Sequence, residues 1–293
     1  MLTRRLFNTT LSTTIGFLLV SRSTMAAPSS PPFAEEMKQL EAKSGGRLGV
    51  AVLDTKDGAL LGHRGDERFP MCSTFKLLAA AAVLKGLGDD LAGLQRRVHF
   101  EKSDLVTYSP ETEKHVGGEG MSLAQVCEAA VTLSDNTAGN LMLKNIGGPA
   151  GLTAFARSLG DQVTRLDRIE PELNEAVPGD PRDTTSPNAM AATVRKLLLG
   201  DALNAAARDQ LAGWLVANKT GDARLRAGLP HGWRVGDKTG TGRLGTSNDV
   251  AIVWPTNRPP LIITCYLTGS TLEAAAQNEI IASIGRAVGA AFG

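Results

Sequence analysis

Residues 47–55 read RLGVAVLDT, and residues 261–268, near the other end of the chain, read LIITCYLT. Both are short apolar runs rich in Val, Ile and Thr, the pattern of strands. A Lys-Asp-Gly turn at residues 56–58 links the first run to a second at 59–64 and predicts a hairpin. Two more strand-like runs, 233–238 and 249–254, precede the last one. Between Ser73 and about Leu215 the signals are helical instead: residues 77–84, 122–133, 136–146, 151–159 and 186–199 are alanine- and leucine-rich and separated by glycine and proline. An amphipathic helix is predicted at 33–44, ended by Gly45-Gly46, and another closes the chain at 272–291. Strands at both ends around a helical middle imply an α/β (α+β) chain with a discontinuous domain. About five antiparallel strands, flanked by helices, come from residues 28–66 and 216–293, and residues 67–215 form an all-helical insertion. The cleft between the two parts is where a site is expected.

The 293 residues are enough for one large domain or two modest ones. A net charge of +1, with acids interspersed among the bases, gives no footprint for nucleic acid, and 4% aromatics leaves no base-stacking platform. Four histidines and three cysteines (Cys72, Cys127, Cys265) lie far apart without metal-ligand spacing, so no metal or other cofactor is expected.

Residues 1–26 read as a leader. Arg4-Arg5 is the positive start, Leu6–Val20 a mostly apolar run, and Thr24-Met25-Ala26 a cleavage tripeptide. The apolar run is too short to span a bilayer. Thr3-Arg4-Arg5-Leu6-Phe7 also resembles a twin-arginine export signal. The expectation is a periplasmic or secreted chain without a membrane anchor after cleavage. With an odd number of cysteines it leaves at least one thiol unpaired.

Three short motifs carry the chemistry. In Met71-Cys-Ser-Thr-Phe-Lys76, Ser73 and Lys76 stand three apart at a helix start, on one face. A helix N-terminus stabilises an alkoxide, and a desolvated lysine can take the hydroxyl proton. Ser134-Asp135-Asn136 opens another helix with a second hydroxyl and a carboxamide, and Lys238-Thr239-Gly240-Thr241 ends a predicted strand with a cation and two hydroxyls suited to an anion. A fourth stretch, IEPELNEA at 169–176, holds Glu170, Glu172 and Glu175; Pro171 makes it a loop with at most one helical turn. Three glutamates in a loop are ordinarily a solvated surface.

The trio of motifs, in this order, resembles the signature of class A serine β-lactamases, which penicillin-binding proteins share. The resemblance runs from about Phe33 to the end and includes residues 105–115, 133–140 and 167–185. It implies a two-layer serine β-lactamase-like fold and a monomer that hydrolyses penicillins and cephalosporins, with carbapenems left open. Ser73 would be the acylated nucleophile, its N–H and that of Thr241 forming the oxyanion hole. Lys76 and Glu170 would share the general-base role, and Ser134 would pass a proton to the lactam nitrogen. Asn136 would hold the acyl side-chain amide, Lys238, Thr239 and Thr241 the substrate carboxylate, and Tyr108 would wall the entrance. Gly240 would let the backbone come close. Arg168 and Asp183 would close the loop that carries Glu170. If residues 171–174 make a helical turn, Glu170 and Asn174 share a face and can hold one water between them, leaving Glu172 and Glu175 as surface or local structural charges.

The sequence departs from the family pattern in three places. The strand after Lys-Thr-Gly lacks the arginine that many members use for the carboxylate, reading GTSND at 245–249; Arg224 matches an alternative position for that guanidinium. Cys72 matches a residue that some carbapenem-hydrolysing members bridge to a second cysteine, but that place is Gly242 here. Cys127 matches a half-cystine whose partner place is Ala80. A D-alanyl-D-alanine carboxypeptidase or transpeptidase shares the nucleophile motifs, and a third reading, from a different class, is a sensor or binding module that a β-lactam acylates and that never releases it.

Overall fold

The structure is a computed structural model and describes residues 33–293. The chain starts with α1 (Phe33–Ser44) and the hairpin β1 (Arg47–Asp54) and β2 (Leu60–His63), followed by the short β3 (Phe69–Pro70). A 3-10 turn at Cys72–Thr74 runs into α2 (Phe75–Leu87). The helical stretch continues through β4 (Arg97–Val98), β5 (Met121–Ser122), α3 (Leu123–Thr132), α4 (Asn136–Asn145) and α5 (Gly148–Ser158). After a long loop come β6 (Thr184–Thr185), α6 (Pro187–Leu198), α7 (Ala205–Val216) and α8 (Leu225–Gly228). The chain then returns to the sheet as β7 (Arg234–Gly242), β8 (Thr246–Trp254) and β9 (Leu261–Thr268), and closes with α9 (Ala274–Phe292).

The main sheet has the order β2-β1-β9-β8-β7, every neighbour antiparallel. RLGVAVLD and LIITCYLT therefore lie side by side, Val50 opposite Cys265. Both strands are apolar almost throughout because both faces of the sheet are covered. Leu48, Val50, Val52, Ile263 and Leu267 pack with residues of α1, α8 and α9, whereas Ala51, Leu53, Ile262 and Tyr266 join the larger core of the helical stretch. At the centre of that core is α2, buried from Phe75 to Leu84 without interruption. A helix that is apolar all round has to be an interior one.

β7 differs from its sequence reading. Lys238-Thr239-Gly240 lies inside the strand, which pairs with β8 as far as Gly242 opposite Thr246. Backbone pairing carries it there; the side chains of Gly and Thr give no apolar alternation to announce it. The leader read in residues 1–26 lies outside the described residues. Among the described residues no helix is long and apolar enough to cross a membrane.

A polar clasp joins α1 to the hairpin. Glu41 accepts hydrogen bonds from Arg64 Nε at 2.6 Å and from the Leu48 N–H at 2.9 Å, and meets His63 Nε2 at 2.9 Å. Burial alone would raise the Glu41 carboxyl, but Arg64, Leu48 and His63 together more than offset it and lower it from 4.5 to about 2. A carboxyl depressed by folding stabilises the native state above its unfolded value, and that stability disappears as pH falls through the folded one. Glu41→Gln is therefore expected to lower stability at pH 7 by roughly 1–2 kcal/mol. The loss should shrink between pH 4.5 and about 2. Urea midpoints of both proteins across that range measure it; a pH-independent difference would refute the assignment.

Candidate active site

The site grows from the start of α2. The Met71 N–H donates to Asp183 O at 2.9 Å, and the 3-10 turn that follows places Cys72 at φ +45°, in the left-handed region. Ser73 comes next, its hydroxyl turned inward. Ser73 Oγ donates to Glu170 Oε1 at 3.0 Å and accepts from Lys76 Nζ at 2.8 Å. Lys76 Nζ also reaches Ser134 O at 2.8 Å, Asn136 Oδ1 at 2.7 Å and Glu170 Oε1 at 2.9 Å. An ammonium has three protons for these four acceptors. Lys76 and Glu170 are fully buried. Burial pulls the Lys76 ammonium below its ordinary value, and the Glu170 carboxylate beside it opposes that pull. Such a lysine gives up or relays a proton more readily than a solvated one.

Ser134 and Asn136 are held by the join of α3 and α4. Ser134 has φ +60°, and Asp135 caps α4 by accepting from Ala138 N at 2.9 Å. The same Asp135 carboxylate accepts from the N–H groups of Glu111 and Thr112, pinning the 105–116 loop against the helix. Tyr108 is thereby set, 57% exposed, on the rim. The Asn136 carboxamide gives its oxygen to Lys76 and donates from Nδ2 to Thr107 O at 2.8 Å, so its orientation is determined from both ends.

Of the three glutamates in IEPELNEA, only Glu170 is buried. Asn140 clamps it there: Asn140 Nδ2 donates to Glu170 O and Asn140 Oδ1 accepts from Glu170 N, both at 2.9 Å. Arg168 Nε donates to Asp183 Oδ2 at 2.6 Å, and Arg168 also pairs with Glu175. Glu172–Asn174 make a 3-10 turn that brings Asn174 Nδ2 onto Glu170 Oε2. The two groups expected to bracket a water are thus in direct contact, and among the described residues Asn174 Oδ1 is buried without a partner.

The far wall is β7. Lys238, fully buried, donates from Nζ to Ser134 Oγ at 3.0 Å and to Thr239 O at 2.8 Å; burial and the nearby Lys76 push it well below its ordinary value. A Cβ at Gly240 would stand 2.8 Å from Met71 O, so only glycine lets the strand come this close to the Ser73 turn. Arg224 is 8% exposed and donates to Gly240 O at 2.8 Å, Asn248 O at 2.6 Å and Thr241 Oγ1 at 2.8 Å. A Cβ on Gly242 would meet Cys72 Sγ at 2.6 Å, so this pair of places is adjacent even though both thiol and glycine are unlinked here.

The resulting cleft, of about 400 Å³, is lined by Ser73, Tyr108, Ser134, Asn136, Asn174, Thr220, Arg224, Thr239 and Thr241. Eight of these nine come from the sequence reading. Lys76, Glu170, Lys238 and Gly240 support the walls. The sequence reading missed Thr220, the Asn140 clamp and a buried layer behind Lys238. In that layer Asp237 takes hydrogen bonds from Arg226 and from Asn218 Nδ2, and Asp249 lies alongside it. Burial pushes both carboxyls above the usual range, Asp249 further, because the neighbouring Asp237 adds to the effect. Only Asn140, four residues after Asn136 on the same helix face, left a spacing signal.

Known proteins resemble this chain in sequence and in fold. The model of the beta-lactamase enzyme family matches residues 32–292. Beta-lactamase CTX-M-97 of Escherichia coli is 50% identical over 271 residues, 92% of each chain. Beta-lactamase OXY-1 of Klebsiella oxytoca is 49% identical over 274 residues, 94% of this chain and 93% of its own. Among solved structures, a class A β-lactamase, PenP, of Rhodopseudomonas palustris is 64% identical, with a TM-score of 0.87 over 89% of this chain and 99% of its own. An ancestral class A β-lactamase gives the same identity and TM-score.

Behind the cleft, a Cβ on Gly221 would stand 2.0 Å from Asp237 Oδ2. Gly221→Ala is therefore expected to cost about 1–3 kcal/mol by overpacking the buried layer. Gly213→Ala, on the exposed side of α7 with nothing within 4 Å, should be neutral or stabilise by about 0.5–1 kcal/mol. Denaturant midpoints of the two variants check this; equal effects would mean the layer yields freely.

Proposed function

The chain belongs to the class A β-lactamases, and from that premise we propose that it opens the β-lactam ring of penicillins and cephalosporins through an ester on Ser73. The observation that carries this reading is the single contact set of Ser73 Oγ, between Lys76 Nζ at 2.8 Å and Glu170 Oε1 at 3.0 Å. Ser73 Oγ attacks the lactam carbonyl carbon and gives its proton toward Glu170, to which it already donates. The oxyanion is received by the backbone N–H groups of Ser73 and Thr241. As the carbon–nitrogen bond breaks, the nitrogen takes the proton of Ser134 Oγ, which accepts from Lys238 Nζ at 3.0 Å. The proton taken by Glu170 returns to Ser134 by way of Lys76, 2.9 Å from Glu170 Oε1, which leaves Glu170 a carboxylate again. Glu170 then takes a proton from the water that attacks the ester, and Ser73 leaves with a proton returned to Oγ. Lys238, Thr239 and Thr241 hold the substrate carboxylate with Arg224 behind them, and Asn136 holds the acyl-side amide.

Of the described residues, 33–66 with 216–293, and 67–215, are read as two lobes on either side of the cleft. The protein acts as an exported monomer, in keeping with the leader pattern of residues 1–26. A carboxypeptidase or an acylated sensor would not need a buried glutamate clamped against the nucleophile. Turnover of a chromogenic cephalosporin beyond one equivalent separates hydrolysis from both.

Glu170→Ala is expected to acylate on a penicillin and stall, with a long-lived adduct on Ser73 visible by mass spectrometry. Glu172→Ala should accumulate none. Deacylation of the Glu170 variant at the wild-type rate would remove Glu170 from the hydrolytic step.

Arg224→Ala should raise KM for carboxylate-bearing β-lactams about tenfold or more, since truncating one member of a desolvated charged contact costs roughly 2 kcal/mol or above. Steady-state kinetics measure it. An unchanged KM would leave Arg224 as a strut for β7 and nothing more.

A further inference from the structure

Thr239 has one hydroxyl proton, and its neighbours decide where that proton points. Thr220 Oγ1 lies 2.5 Å from Thr239 Oγ1. It also lies 2.8 Å from Asn218 Oδ1, which accepts the Thr220 backbone N–H as well, at 3.0 Å. On its other side Asn218 Nδ2 donates to Asp237 Oδ2 at 2.6 Å. A carboxamide can be turned end for end without changing its shape, so its orientation has to come from its partners. Here two partners agree. A backbone N–H only donates, so the atom facing Thr220 is the oxygen. The Asp237 carboxylate, already paired with Arg226, accepts, so the atom facing it is the NH₂. Asn218 is 2% exposed, which leaves water no part in the choice.

The direction then propagates outward. Asn218 Oδ1 can only accept, so the Thr220 hydroxyl commits its one proton there. Thr220 Oγ1 presents a lone pair to Thr239, and the contact between the two hydroxyls uses the proton of Thr239. That proton faces inward, away from an incoming anion. Two hydroxyl rotations reverse the chain without moving a heavy atom. Thr239 turns to donate to the anion, Thr220 turns to donate to Thr239, and Asn218 Oδ1 keeps the Thr220 backbone N–H.

We propose that Asn218 and Thr220 are positioning residues of the carboxylate anchor, and that the Asn218–Thr220–Thr239 chain reverses when a substrate carboxylate binds. This rests on Thr239 holding that carboxylate, as read above. Thr220 then backs Thr239 as a donor, and the bond to a charged acceptor polarises the whole chain. A neutral ester in the same place draws much less from it.

The test compares a cephalosporin with its methyl ester in wild type, Thr220→Val and Thr220→Ser. Wild type should prefer the acid. Thr220→Val should raise KM for the acid about three- to tenfold, the size of one ordinary hydrogen bond, with kcat within about twofold. KM for the ester should stay put, so the preference for the acid shrinks, and Thr220→Ser should restore it. If Thr220→Val keeps the wild-type preference, or weakens acid and ester alike, or Ser does not rescue, the proposal fails while the anchor stands. If wild type treats acid and ester alike, the carboxylate anchor itself falls and takes this chain with it.

Discussion

A lysine ammonium buried among oxygens sets the terms for the structure around it. Lys76 sits in a helix that is apolar and buried for ten residues, where an unpaired charge would be prohibitive. Its compensation arrives from four places: Ser73, the Ser134 carbonyl, the Asn136 carboxamide and the Glu170 carboxylate. Each of those must in turn be held. Asn136 leans on Thr107 O, Glu170 on Asn140, and the loop behind Glu170 on the Arg168–Asp183 pair. The helical part of the molecule is largely the apparatus that brings these oxygens to one nitrogen. The same contacts leave Ser73 with an acceptor on one side and a donor on the other, which is the chemical state a nucleophile needs.

Bringing separate segments to one point strains the backbone. Among the described residues seven non-glycine positions have positive φ, and Cys72, Tyr108, Ser134, Ala176 and Asp183 border the cleft or the Glu170 loop. Left-handed geometry at such residues costs on the order of 1 kcal/mol each and persists only where surrounding contacts over-determine it. Here the surrounding contacts are visible. Asp183, itself strained, accepts from the N–H groups of Asp167 and Arg168 and from the Arg168 guanidinium, and its carbonyl holds the Met71 N–H ahead of the nucleophile. The Glu170 loop and the Ser73 turn are therefore built on one residue.

Much of this was legible before any coordinates. The runs at 47–55 and 261–268 pair as neighbours, and Ser73, Lys76, Ser134, Asn136, Glu170, Asn174 and Lys238 converge. Motifs at fixed spacing are legible because short range determines them: three residues on a helix put Ser73 and Lys76 on one face whatever else happens. Asn218, Thr220, Asp237 and Asp249 left no such trace. Each looks like an ordinary turn or strand residue, and each matters only because segments 218–226, β7 and β8 are stacked there. Glu175 was legible as a charge, but its partner Arg168 follows from the path of the loop.

The sequence by itself determined which elements form and which groups could react, because periodicity, capping and motif spacing are local properties of the chain. It also determined that Gly240 has no side chain at the one place where β7 needs none. Tertiary structure alone decided the electrostatics. Whether Lys76, Lys238, Asp237 and Asp249 are ordinary surface charges or perturbed interior groups depends on how much water the packed chain excludes from them, and on which charges from distant segments remain beside them. Burial is a property of the assembled body, and no stretch of sequence contains it.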